Sequence, residues 1–253
     1  ALADYAEFLN NEHGWTQFAV VAEDAGWNKP ITNQLPGLLK QKGLNVTMTK
    51  RFSPKINDYT PVLDKVKSSG AEAMLKAIAH VSGQSLLSTW RQNEYPFAQE
   101  GLNIASTSPH YYKDTNGGCL YEGAMALSPG GTATITSKTD AFVNKYKNKY
   151  TSRPSIPMSM GLGSYDAVHM YKKAVESAGT ADYKNHGSEI ASAMAKESYT
   201  GVSGTIEFFQ KGEKYPNGPK YGVDKLPVTV NQWQKANDGG YNGAGGKKVT
   251  VWP

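Results

Sequence analysis

The sequence has 253 residues, of which 39% are hydrophobic and 19% are charged, and its formal net charge is +5. That length suits one large domain or two small ones and is enough to bury a core. The densest lysine run, 138–149, alternates with apolar residues as the solvated face of a helix does, which argues against nucleic acid or an anionic membrane as partner. One cysteine excludes an internal disulfide, and no run approaches the roughly 20 apolar residues of a membrane span.

Apolar spacing predicts alternating helices and strands over the first half of the chain. The predicted helices start at residues 1, 30, 60 and 82, and the predicted strands cover 18–22, 45–49, 71–79, 102–105 and 121–127. Alternation at this spacing indicates a parallel sheet covered by helices on both faces, with right-handed crossovers. The expected fold class is therefore α/β, with a Rossmann-like doubly wound sheet.

The second half follows a different pattern. The turn residues of 128–132 break the alternation and predict a hinge, and a second break follows at 201–204. Three helices are predicted at about 136–150, 163–178 and 186–197, and strands return at 205–209, 226–233 and 249–252. The three helices have apolar faces that must be buried. Either they pack on one another, or their sheet is not in this chain.

The templates of catalysis and metal binding mostly fail. Gly201-Val-Ser203-Gly204 is one residue short of a nucleophile elbow. The five histidines lack metal-ligand spacing on any one element, and Asp166 with His169 is interpreted as a surface pair on a helix. Glu23 and Asp24 are expected to cap the next helix or to face water. The sequence thus predicts no catalytic residue, no metal and no cofactor.

Three turns that follow predicted strands carry polar or aromatic groups. Trp27 follows the first strand, His80-Val-Ser82-Gly83 follows the third, and Ser106-Thr107-Ser108 follows the fourth. The carboxyl ends of parallel strands meet at one edge of a sheet, where open α/β sheets bind ligands. These turns could form a pocket for a small polar or zwitterionic molecule. The alternative is that Trp27 is a partly buried surface aromatic and the hydroxyls are helix caps.

Seven segments together carry a family resemblance, although none is specific alone. They are Phe18–Trp27, Asn57–Val66, Ala71–Leu75 with Gly83–Leu87, Tyr121–Met125, Ala141–Tyr146, Tyr165–Val168 and Gly201–Phe208. In this order and spacing the chain resembles the type I periplasmic solute-binding proteins of ABC transporters, in particular the branched-chain amino-acid-binding group. The resemblance implies two α/β lobes that are joined by three crossovers and hold a ligand between them.

The resemblance also implies a domain plan. Residues 1–127 and 204–253 would form the second lobe, and 133–200 would be a helical return into the first lobe. Residues 128–132 and 201–203 would be hinge crossovers. The N-terminal segment of the family, which carries most of the first lobe's sheet, is not in this sequence. Exposed apolar surface is therefore expected on the helices of 136–197, with oligomerisation as one way to cover it.

Transferred residue by residue, the resemblance makes Trp27 a ligand contact, since relatives place a tyrosine there. Ala79 and His80 match a loop that lines the cleft. Met160 precedes the Tyr165–Val168 segment and is a candidate for the cleft rim, although core packing is the favoured interpretation. Ser106 or Thr107 stands where amino-acid binders place a carboxylate for the ligand amine. This missing carboxylate weakens the amino-acid interpretation and admits other small polar or aromatic solutes.

The predicted function is therefore an extracytoplasmic, non-enzymatic binding protein that delivers a small solute to an ABC transporter permease. Its expected location is the periplasm or the cell exterior, without direct insertion into the membrane. Two alternatives remain: a ligand-sensing receptor module of the same fold and a doubly wound α/β enzyme. Neighbouring genes would distinguish the first, and substrate turnover the second.

Overall fold

The computed structural model describes residues 1–108, 110–126, 133–150, 159–240, 243 and 245–253. The chain forms two compact units. Unit 1 comprises Ala1–Met125 and Val230–Trp252, and unit 2 comprises Ala126–Thr229 with Pro253. The predicted hinge at 128–132 lies outside the described residues.

Unit 1 is built on one seven-stranded sheet. Its strands are β1 Gln17–Glu23, β2 Asn45–Phe52, β3 Ala73–Ile78, β4 Ala98–Asn103, β5 Glu122–Ala126, β8 Thr229–Lys235 and β9 Gly246–Trp252. They lie side by side in the order β2-β1-β3-β4-β5-β8-β9. The pairs β1–β2, β1–β3, β3–β4 and β4–β5 are parallel, whereas β8 and β9 are antiparallel. The mostly parallel α/β sheet confirms the predicted fold class.

Helices alternate with the parallel strands of unit 1. They are α1 Leu2–His13, α2 Lys29–Gln41, α3 Thr60–Ser68, α4 Gly83–Gln92 and the short α5 Tyr111–Asp114, with 3-10 turns at Gly26–Asn28, Ile104–Thr107 and Gly118–Tyr121. The Ser82 side chain accepts a hydrogen bond from Ser85 N, so the predicted cap of α4 is present. β1 and β3 are almost wholly buried, as expected for strands covered on both faces.

The fourth strand is displaced from its predicted position. It runs over Ala98–Asn103, not 102–105. Asn103 ends it because its side-chain oxygen accepts a hydrogen bond from Ala105 N at 3.1 Å and so begins the 3-10 turn Ile104–Thr107. The sequence pattern could not distinguish this apolar turn from a short buried strand.

A buried polar network lies inside unit 1, across three neighbouring strands. Lys76 on β3 forms an ion pair with Glu122 on β5 at 2.9 Å, and both side chains are fully buried. Asn103 Nδ2 donates to Glu122 Oε1 at 2.7 Å, and the Tyr111 hydroxyl donates to Glu122 Oε2 at 2.8 Å. On β4, the carboxyl group of Glu100 accepts a hydrogen bond from the Tyr5 hydroxyl of α1 at 2.6 Å. The network fixes α1 and α5 to the sheet.

Unit 2 contains α6 Thr139–Lys149, α7 Ser159–Ala178, α8 Tyr183–Lys196 and a small hairpin of β6 Tyr199–Thr200 and β7 Thr205–Ile206. In its described part the helices pack without a large sheet, as the sequence pattern predicts. Val168 is 69% exposed and Tyr171 41%, so α7 does leave an apolar face in solvent. Among the helices in the described ranges, none is long and apolar enough to cross a membrane.

The predicted surface pair of Asp166 and His169 is wrong, because Asp166 lies in the interior. Its side chain is fully buried, and its two oxygens accept hydrogen bonds from Val202 N and Ser203 N, each at 2.8 Å. A Cβ at Gly201 would lie 2.1 Å from this carboxylate, so only glycine fits there. Asp166 thereby fixes the predicted crossover 201–203 to α7, and His169 packs on Tyr199 instead.

Residues 204–229 lie within unit 2. The domain plan that the resemblance implies stays a prediction. Thr205 N donates to Lys225 O at 3.0 Å, and Phe208 forms a bridge with Pro219. The segment therefore folds back on the β6–β7 hairpin and reaches the sheet of unit 1 only at β8.

Candidate functional site

The candidate site of unit 1 lies where β1 and β3 end, and Glu23 is at its centre. Glu23 is the last residue of β1 and is fully buried. Its Oε1 accepts from Trp27 Nε1 at 2.9 Å, and its Oε2 accepts from Ala79 N at 3.0 Å and His80 N at 2.8 Å. The His80 ring adds a fourth contact, Nδ1 to Oε1 at 2.6 Å. One carboxylate thus joins the turn after β1 to the turn after β3.

Trp27 stands on the 3-10 turn Gly26–Asn28, between β1 and α2. The next residue, Asn28, is buried and donates from Nδ2 to Glu23 O at 2.9 Å and to Ala77 O at 3.1 Å. These bonds hold the turn against the ends of both strands. Trp27 itself is 41% exposed, so the indole nitrogen is fixed while much of the ring faces solvent. A fixed, half-exposed indole is suited to cover a ligand.

His80 has the same arrangement of one anchored and one open end. Its backbone and Nδ1 contact Glu23, whereas its side chain is 64% exposed. Because a carboxylate oxygen only accepts, the short Nδ1 contact places the ring hydrogen on Nδ1. Nε2 is then the ring nitrogen left for another molecule. It accepts a hydrogen bond when the ring is neutral and donates when the ring is protonated.

Burial and hydrogen bonding shift the pKa of Glu23 in opposite directions. Burial disfavours its charged form, but hydrogen bonds from the Ala79 backbone and from the side chains of Trp27 and His80 outweigh burial and lower its pKa. Glu23 is therefore a carboxylate at neutral pH. The expectation that Glu23 and Asp24 cap a helix or face water is wrong for Glu23, because its side chain turns inward to these donors.

The neighbouring carboxylate, Asp24, is engaged by Arg51 from β2. Arg51 donates from Nε and Nη2 to Asp24 Oδ1 at 3.0 and 2.9 Å. It also donates to Ala25 O at 2.7 Å and to Asn28 Oδ1 at 3.0 Å. Arg51 thereby braces the outer side of the Trp27 turn.

The turn after β4 is built differently, although it lies on the same sheet. Ser106 is 4% exposed, and its hydroxyl donates to Asn103 O at 2.7 Å. Its carbonyl oxygen accepts from Trp233 Nε1 at 3.0 Å. Thr107 is partly exposed, and its hydroxyl donates to Ile104 O at 2.7 Å. Both hydroxyl hydrogens serve the turn itself, and Ser106 faces inward.

Met160, the remaining predicted contact, lies near the start of α7 in unit 2, where it is 78% exposed. This exposure excludes core packing for Met160 in the structure. Among the described residues no group of three or more His, Cys, Asp or Glu side chains could hold a metal ion. The described site thus offers an aromatic wall, one imidazole nitrogen and backbone groups.

Sequence reasoning identified the turns but missed the residue that organises them. Glu23 ends an apolar run and precedes Trp27 by four residues, a spacing that also fits a surface carboxylate. Its role depends on donors from the turn after β3, 56 and 57 residues further along the chain. A local pattern carries no signal for such a contact.

A family model described as periplasmic binding protein matches residues 1–221. The chain belongs to this family. No curated protein matches it.

Solved structures support the same fold at low sequence identity. A type 1 periplasmic binding protein from Bordetella pertussis Tohama I has a TM-score of 0.75 at 16% identity, covering 100% of this chain and 64% of that one. A leucine-binding protein from Thermotoga maritima MSB8 has a TM-score of 0.73 at 18% identity, covering 100% and 65%. An ABC transporter solute-binding protein from R. palustris, in complex with benzoate, has a TM-score of 0.75 at 11% identity, covering 99% and 61%. The chain thus spans less than two thirds of the length of these structures.

Proposed function

We propose that this protein is an extracytoplasmic solute-binding component of an ABC transporter. The observation that carries the proposal is the pair Trp27 and His80, which Glu23 holds side by side at the carboxyl edge of the sheet. Family membership supports a binding function, and the edge is where open α/β sheets take ligands. The partner would be a permease that recognises the closed, ligand-bound form.

The proposed ligand is a small polar solute, with amino acids and aromatic acids as the two classes to compare. Structures with the same fold include a leucine-binding protein and proteins in complex with benzoate and 4-hydroxybenzoate. In this chain Trp27 would cover the solute, and His80 would bind its polar end through Nε2. Ala79 would offer only its carbonyl oxygen, because its N–H already donates to Glu23 Oε2. Thr107 is proposed as a rim contact, and Met160 stays a prediction of the family resemblance. Ser106 is proposed to support its turn, because its hydroxyl is already bonded to Asn103 O.

Isothermal titration calorimetry of the full-length natural protein tests this function. Leucine, benzoate and 4-hydroxybenzoate are titrated separately, and each titration is followed by a check for chemical change in the solute. The proposal expects saturable binding of one solute per protein with the solute recovered unchanged. Conversion of the solute would favour the enzyme alternative. Absence of binding by all three would remove both proposed ligand classes.

A further inference from the structure

The contacts of Glu23 indicate which kind of solute the site selects. We infer, on the basis of the proposed function, that Glu23 is a positioning residue and that this site selects aromatic carboxylic acids over α-amino acids. Three features carry the inference: the saturation of Glu23, the engagement of Asp24 and the orientation of His80.

Glu23 is saturated by its neighbours. A carboxylate can accept about four hydrogen bonds, and Glu23 has four protein donors between 2.6 and 3.0 Å. The side chain is also fully buried. A solute ammonium group would have to displace one of these donors and leave it without an acceptor, which is costly in a buried position. Glu23 therefore does not bind a ligand amine, although it is a carboxylate at the site.

Asp24 is the other carboxylate at the end of β1, and it is already paired. Arg51 donates twice to Asp24 Oδ1, and the same guanidinium is fixed by Ala25 O and Asn28 Oδ1. Arg51 thus compensates the charge that would otherwise attract an ammonium group. The turns after β3 and β4 add hydroxyls and an imidazole but no carboxylate between Ala79 and Ser82 or between Ile104 and Ser108.

His80 supplies the complementary chemistry. With Nδ1 donating to Glu23, Nε2 is held in one orientation on a largely exposed ring. A protonated ring donates from Nε2 to a solute carboxylate, and a neutral ring accepts from a phenolic hydroxyl. Trp27 shares Oε1 of Glu23 with His80, so the indole lies beside this nitrogen. An aromatic wall next to an imidazole suits a planar ring that carries a carboxyl or hydroxyl group.

The inference is tested by nitrogen NMR and by calorimetry on the full-length natural protein. In the wild type, the His80 resonances should show hydrogen on Nδ1, and in Glu23→Gln this preference should be lost. Benzoate should bind at least about tenfold more tightly than leucine, and Glu23→Gln should weaken benzoate by about tenfold or more. Glu72→Gln is the matched control, since the Glu72 carboxylate also accepts from backbone N–H groups, those of Thr16 and Gln17, but at the opposite end of β1. It should leave both the His80 resonances and the benzoate affinity unchanged.

His80→Ala provides a second variant that changes an exposed side chain and keeps Glu23 for its other donors. It should weaken the binding of benzoate by about tenfold. This variant keeps the test possible if Glu23→Gln fails to fold. Hydrogen on Nε2 but not on Nδ1 of His80 in the wild type would overturn the positioning role. Leucine binding as tightly as benzoate would overturn the selectivity but leave the proposed function standing. Failure of both solutes to bind would contradict the ligand class and the proposed function together, while the NMR result would still decide the role of Glu23.

Discussion

Glu23 and Glu100 are two buried glutamates on the same sheet whose pKa values are shifted in opposite directions. Glu23 ends β1, and backbone, indole and imidazole donors hold its pKa below the ordinary value in spite of burial. Glu100 lies within β4, where burial raises its pKa to about 7. Hydrogen bonds from Tyr5 and Gly123 and the charge of Lys76 oppose this rise but do not cancel it.

The difference shows that burial alone does not determine the charge of a carboxyl group in this fold. Strand ends present free backbone N–H groups, which favour a carboxylate, whereas backbone groups within a sheet are already paired. An ionised carboxyl group is therefore stabilised at the strand ends. In the middle of β4, ionisation of the carboxyl group lowers the stability of the folded protein. The same substitution, Glu to Gln, should have opposite effects at the two positions.

The largest expected effect is the loss of stability in Glu23→Gln. The amide keeps the shape but replaces one accepting oxygen by a donor, so buried N–H groups lose their acceptor. The free energy of unfolding should fall by about 2–4 kcal/mol at neutral pH, measured by urea denaturation. Because the folded pKa of Glu23 is lowered, the wild type loses this advantage as the pH falls below the ordinary value of 4.5. If the variant lost the same free energy of unfolding in acid as at neutral pH, the charge of Glu23 would not be the cause.

Glu100→Gln should act in the other direction. A raised folded pKa means that the wild type loses stability as the pH rises from about 4.5 to about 7. The amide has no charge to bury and still accepts from Tyr5, so at pH about 8 the variant should be more stable by roughly 1–3 kcal/mol. At pH about 4 the two proteins should be nearly equal. Equal stability at both pH values would show that Glu100 ionises without penalty.

A smaller effect, in binding and not in stability, is expected for Trp27→Ala. Removal of the indole should weaken solute binding more than about tenfold, which corresponds to roughly 1.4 kcal/mol. Calorimetry of the full-length protein measures it. Trp15→Ala is the matched control, because Trp15 precedes β1 and lies at the opposite end of that strand from Trp27. An equal loss in both variants would point to general destabilisation.

The smallest effect is expected for Ser106→Ala. The Ser106 hydroxyl already donates to Asn103 O, and the side chain is buried, so the solute affinity should change by less than about twofold. Stability should fall by about 1 kcal/mol for the lost hydrogen bond. A tenfold loss of affinity at unchanged stability would return Ser106 to the list of ligand contacts.

The sequence predicted the order and type of the main elements because their apolar periods are long and regular. The spacing of apolar residues identifies the buried face in β1, in β3 and in the helices α2–α4. The exception in unit 1, β4, was misplaced because Asn103 ends the strand through a side-chain bond that has no periodic signal. Local patterns therefore give elements well and their ends less well.

The site was predicted only in part, for a physical reason. Trp27 and His80 could be assigned to one sheet edge from topology, but the donors that turn Glu23 inward are distant in sequence. Asp166 is a second case, since its carboxylate is buried by the turn at Val202 and Ser203, more than thirty residues away. A carboxylate that binds backbone N–H groups looks the same in sequence as one that faces water.

Tryptophan fluorescence tests the central claim, that Trp27 is the wall of the solute site, most directly. Full-length protein with Trp27→Phe or Trp15→Phe is titrated with benzoate and with leucine. If Trp27 covers the solute, the solute-induced change in emission persists in Trp15→Phe and is lost in Trp27→Phe. An undiminished change in Trp27→Phe, with the affinity of the wild type, would contradict it.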